Sequence, residues 1–99
     1  MKSKSEIEMD FSRAVSQAQE LETLSKELSE MATEHIKGAM RLLALSWQGE
    51  NANMYFEKGE ILSGEMLDTA DDLIKVAKNI RSTAKVVYTA EKAALQLGY

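Results

Sequence analysis

The sequence contains no cysteine and no proline. The first absence excludes disulfides and thiolate metal sites, and leaves the redox compartment unspecified. The second removes the residue that breaks helices most sharply. Glycine occurs five times in 99 residues, and no apolar run approaches the length needed to cross a membrane. Arginine occurs only at Arg13, Arg41 and Arg81 in a chain of net charge −4, a poor composition for neutralising phosphates, so nucleic acid is not an expected partner. The start, Met1-Lys2-Ser3-Lys4-Ser5-Glu6, has lysines but no apolar stretch behind them, so any export is expected to proceed without a cleaved signal peptide. One domain covering residues 1–99 is expected, and a domain this small buries too little surface to be generously stable alone.

What the chain does have is a wealth of Ala, Leu, Glu, Lys, Gln and Met, all good helix formers. The expected fold is all-α: an antiparallel two-helix hairpin with a helix over 6–46, a turn at 47–50 and a helix over 51–95. A capping box of Ser5 with Glu8 is expected to open the first helix, and Gly49 to supply the left-handed conformation that ends it. At ~1.5 Å per residue each helix would extend roughly 60 Å, which demands lateral support along its length.

Heptad spacing supplies a candidate seam. In the second helix it selects Ala52, Tyr55, Gly59, Leu62, Met66, Thr69, Leu73, Val76, Ile80, Thr83, Val87, Ala90, Ala94 and Leu97 without a charge. In the first it selects Ile7, Ala14, Leu21, Leu24, Leu28, Met31, His35, Gly38, Leu42 and Leu45, interrupted by Asp10 and Gln17. Folding back at residues 48 and 49 pairs positions whose numbers total 97, setting Leu24 against Leu73, Met31 against Met66 and Gly38 against Gly59. A second apolar stripe is then left over: Phe11, Val15, Ala18, Ala32, Ile36, Ala39 and Leu43 on one helix, and Phe56, Leu67, Ala70, Ile74, Ala77, Ala84 and Tyr88 on the other. These residues are the expected dimer interface of a four-helix bundle, because a broad apolar face on a small protein implies a partner. The opposite flank, with Arg13, Glu20, Glu27, Glu34, Arg41, Lys58, Glu65 and Asp72, is charged.

Trp47-Gln48-Gly49 at mid-chain, followed by Ala52 and Tyr55 between two long amphipathic helices, resembles the WXG family, proteins similar to the early secreted antigenic target of mycobacteria. The resemblance covers the whole chain in length, motif position and pattern. It implies a secreted helical hairpin that pairs with itself or with a second WXG-type hairpin and is exported by a type VII secretion system of Gram-positive bacteria. The implied contacts are the secretion ATPase and, in some members, a larger secreted effector. Trp47 would then cover the end of the hairpin while Gly49 makes the turn. Family members often carry a C-terminal tyrosine followed four residues later by an acid. Here Tyr88 and Glu91 are three apart and Lys92 stands at the usual position. They form the candidate export signal, with the alternatives open that a partner carries it or that Tyr88 is interface core.

Candidate chemistry is sparse. His35 is the only histidine and reads as a seam residue, and Asp68, Asp71 and Asp72 lack the glycine-turned loop of a calcium site and read as a solvated face. Met31 and Met66 read as core filler. No nucleophile elbow or phosphate-binding loop is present, so neither cofactor nor catalysis is expected. The rival readings are a coiled-coil adaptor, the targeting module of a larger toxin, and a chorismate mutase-like all-α enzyme. The last would need cations converging on a dicarboxylate, which three scattered arginines supply poorly.

Overall fold

The computed structural model describes residues 2–46 and 49–98, apart from the side chain of Glu50. Trp47, expected to cover the end of the turn, lies outside the described residues. The described chain is helical, with no strand among the described residues: α1 spans Lys4–Glu30, a π-helical segment Met31–Ile36, α2 Lys37–Ser46 and α3 Glu50–Gln96. Two compact units result, one formed by residues 1–22 with 74–99 and the other by residues 23–73.

The helix ends follow from local chemistry. Ser3, not Ser5, caps α1: the Glu6 amide donates to the Ser3 hydroxyl at 3.2 Å, and the Ser3 amide and hydroxyl donate to the Glu6 carboxylate at 3.4 and 3.1 Å. The box sits two residues earlier than expected because Ser3-Lys4-Ser5-Glu6 offers the same spacing and starts the helix sooner. Gly49 has φ of 121°, a conformation that disfavours any side chain, and its carbonyl accepts the Asn53 amide to open α3. At the far end Gly98, at φ 81°, donates its amide to the Leu95 carbonyl and stops the helix.

The expected seam is corrected. Leu42 is 70% exposed and Leu45 85%, while Leu24, Met31, Tyr55, Leu62, Val76 and Val87 are about half exposed or more. The buried residues are mostly small: Ala18, Ser25, Ala32, Ala52, Ser63, Ala70 and Ala77, with Ile7; of these only Ile7 and Ala52 belong to the expected seam. In the unit of residues 23–73 two cross-helix bonds reveal why. Ser25 donates its hydroxyl to the Ala70 carbonyl at 2.7 Å, and Ser63 donates to the Ala32 carbonyl at 3.0 Å. A hydroxyl one carbon long reaches the opposite main chain only if the backbones approach toward the lower end of the usual roughly 8–10 Å spacing, which large seam residues would prevent. As α1 numbering rises the partner numbering on α3 falls, so these segments run antiparallel. The residue numbers in both pairs give one common total, two short of the expected register. The shift puts small residues in contact and moves the leucines to the side.

The π-helical segment changes the face again. Thr33 donates its hydroxyl to the Ser29 carbonyl at 2.9 Å in this stretch. The widened turn inserts one residue into the heptad count, so the position that follows Ala32 on the inner face is Met40 rather than Ala39. Ala39 is exposed, and a Cβ added at Gly59 would run into the sulfur of Met40. Gly38 has nothing near it and does not pair with Gly59. His35, expected in the seam, is exposed, as is Met31, so neither is core.

Inverted mutational sensitivity is expected. Ala70→Leu, in the seam, should cost about 1–3 kcal/mol through overpacking, whereas Leu42→Ala should stay within about 0.5 kcal/mol. Denaturant unfolding of the two variants checks this; equal losses would contradict the small-residue seam.

Candidate interaction surface

In the unit of residues 23–73 the exposed apolar side chains fall into two sets. Three of them directly precede a buried small residue, Leu24 before Ser25, Met31 before Ala32 and Leu62 before Ser63, whereas Leu42, Leu45, Met54, Tyr55 and Ile61 do not. In an antiparallel helix pair, positions that precede the seam on both helices lie on the same flank. Tyr55 and Ile61 extend the apolar surface on α3, at 53% and 60% exposure. Glu27, Glu34, Glu65 and Asp72, which the sequence placed on a flank opposite the apolar face, border it instead.

The unit of residues 1–22 and 74–99 shows the first arrangement at Val76 before Ala77. It also holds a dense polar network. Tyr88 packs its ring on Phe11 with centroids 4.6 Å apart and donates its hydroxyl to Glu8 at 2.9 Å. Lys92 donates to Glu8 at 3.1 Å and lies 5.5 Å from the centre of the Tyr88 ring. Lys2 bridges Asp10 at 2.9 Å and Glu91 at 3.2 Å. Arg81 pairs with Glu22 at 2.6 Å. Beneath the network an open groove of about 240 Å³ runs between Ile7, Phe11 and Ala14 on one side and Ile80, Ala84 and Val87 on the other.

Hydrogen bonds set the protonation of this network. The Lys92 ammonium, followed by the Tyr88 hydroxyl, holds the Glu8 carboxyl below its ordinary value. Lys2 does the same for Asp10. Bonds to Glu8 hold Lys92 above its ordinary value, and bonds to Asp10 and then Glu91 do so for Lys2. The carboxylates' contribution is therefore present above the usual carboxylate range and lost as pH falls through their lowered values. That of the lysines holds through neutral pH and is lost only when pH rises past the lysine range. Lys2, Glu8 and Asp10 are solvent-exposed and Lys92 is half-buried, so the network orders the helix ends more than it stabilises the fold.

The expected site residues separate into three groups. Ala18, Ala32, Ala70 and Ala77, expected at the dimer interface, are buried within the chain itself. Phe11, Val15, Ile36, Leu43, Phe56, Leu67, Ile74, Ala84 and Tyr88 are half-buried beside them, and Ala39 is turned outward. Tyr88 and Glu91, the candidate signal pair, are held by different partners, Glu8 and Lys2. A heptad reading that leaves serine out of the seam places the exposed leucine-rich flank in the core. Counting Ser25 and Ser63 with the alanines completes two unbroken heptad rows, Ala18-Ser25-Ala32 and Ser63-Ala70-Ala77-Ala84.

No group of three or more His, Asp or Glu side chains among the described residues is arranged to hold a metal ion, and no described helix is long and apolar enough to cross a membrane. No protein-family model, curated protein or solved structure matches the chain.

Removing the Tyr88 hydroxyl should weaken the hold on Glu8 without touching Lys92. In Tyr88→Phe the midpoint of the Glu8 carboxyl, followed by NMR across an acid titration, is expected to rise toward the ordinary glutamate value. An unchanged midpoint would show that the hydroxyl does not contribute.

Proposed function

We propose that the chain is a WXG-type helical hairpin, a type VII secretion substrate that acts by pairing with another helical hairpin rather than by catalysis. The carrying observation is the apolar flank left uncovered beside the small-residue seam. A leucine, a methionine and a tyrosine about half exposed on adjoining helices are a surface that water disfavours and a second pair of helices would cover. The assembled form in this reading is a four-helix bundle whose contact residues are Leu24, Met31, Tyr55 and Leu62, in place of the alanine stripe. Gly49 at positive φ, directly after Trp47-Gln48 and before a 47-residue helix, supports the resemblance to the family.

A second reading of the export signal has its own support. Tyr88 and Glu91 are engaged by Glu8 and Lys2, which favours a partner as carrier of the recognition element, with this chain exported as its companion.

Secretion by the native host tests both. Leu24→Asp with Leu62→Asp should reduce the protein in the medium at least about tenfold while helicity by circular dichroism is retained, since a charge on a buried interface costs several kcal/mol. Loss in Tyr88→Ala and Glu91→Ala would assign the signal to this chain, and retention would assign it to the partner. Full secretion of the Leu24/Leu62 variant would overturn assembly through this flank.

A further inference from the structure

We infer that the partner covering this flank is a different polypeptide, a helical one whose apolar face is edged by lysine or arginine, and not a second copy of this chain. The inference rests on the assembly reading above and names the partner's chemistry.

The argument is electrostatic. On α1 and the π-helical segment, Glu27 stands one helical turn from both Leu24 and Met31, and Glu34 follows at the next turn. On α3, Glu65 stands one turn from Leu62, and Asp72 continues its row seven residues on. These four carboxylates are exposed, and none belongs to a salt bridge among the described residues. Lys58 is the one base in the same α3 row. The rim of the apolar flank is therefore acidic on both helices.

A pair of identical chains related by a two-fold axis presents the same patch on both sides. Closing this flank on itself would bring the acids of one rim against those of the other, and like charges at a rim slow association and disfavour the complex. A partner with cations at the rim converts the same four positions into attraction. Besides Lys58 the same unit holds Lys26, Lys37 and Arg41, but Lys26 and Arg41 follow the inner-face residues Ser25 and Met40 and Lys37 stands three before Met40, which puts all three on the opposite flank. Lys75, Lys78 and Lys85 lie on the part of α3 belonging to the other unit, and Lys78 and Lys85 follow the seam residues Ala77 and Ala84 rather than preceding them. Helix positions after the seam lie on the flank away from Leu62. Arg13 belongs to the other unit too.

The test uses the full chain and two synthetic amphipathic helices with one identical leucine face, the first edged with lysine and the second with glutamate. Fluorescence anisotropy at low salt should show the lysine-edged peptide binding at least about tenfold more tightly, with the preference falling as salt rises. Glu27→Lys with Glu65→Lys should reverse it. Glu57→Lys with Glu60→Lys, the same change of net charge away from this flank, should leave most of it. Equal affinity for the two peptides, or a preference abolished equally by both variants, would overturn the charge argument while leaving the apolar surface intact. Failure of both peptides to bind would overturn the surface as well. Sedimentation of the unmutated chain provides an independent arm: a stable homodimer at micromolar concentration in low salt would overturn the inference.

Discussion

Two serine hydroxyls, each donating across to a main-chain carbonyl of the opposite helix, mark the constraint on which the remaining packing depends. Ser25 on Ala70 and Ser63 on Ala32 require the helix backbones of residues 23–73 to approach closely. Only alanine, serine and glycine fit such a gap, and the buried positions are filled accordingly. The hydroxyls that occupy it are hydrogen-bonded, which offsets the cost of desolvating them. With the seam closed at that distance, the neighbouring leucines and methionines have no room between the helices. They take up positions on one flank, where the chain itself does not cover them.

The π-helical segment Met31–Ile36 changes which residue faces α3 beyond Ala32. A strict heptad count would continue from Ala32 to Ala39, but α3 presents Gly59 near that level, leaving a gap. One extra residue per turn brings Met40 to the inner face, where its flexible thioether fills the space over the glycine. Ala39 turns outward as a consequence. The deviation is one residue long, and every seam assignment beyond it on α2 moves with it.

Electrostatics divides along the same line. Near the helix ends of residues 1–22 and 74–99, charges of opposite sign meet in ion pairs around Glu8, Asp10 and Glu91, and they order the chain locally. Around the apolar flank of residues 23–73, Glu27, Glu34, Glu65 and Asp72 have no such partners among the described residues. A surface combining uncovered leucine with unneutralised carboxylate is complementary to a cationic amphipathic helix, and this links the packing of the seam to the chemistry of what the chain binds.

Composition alone determined that the protein is helical, because a chain without proline and rich in Ala, Leu, Glu and Lys has no competing local preference. The sequence also determined the break at Gly49, where a positive φ was needed, and the presence of two apolar heptad rows on each helix. It located the capping box only to within two residues, since Ser3 and Ser5 both have a glutamate three positions on. Which row is the seam was decided by tertiary structure. Hydrophobicity ranks leucine above alanine and serine, so a reading by residue type assigns Leu24 and Leu62 to the interior. Packing ranks by fit: two helices gain contact all along their length when small residues let them close, and that gain is a property of the pair that neither helix displays alone. The one-residue shift at Met31–Ile36 is likewise invisible in the sequence, because it answers to Gly59, a residue on the other helix.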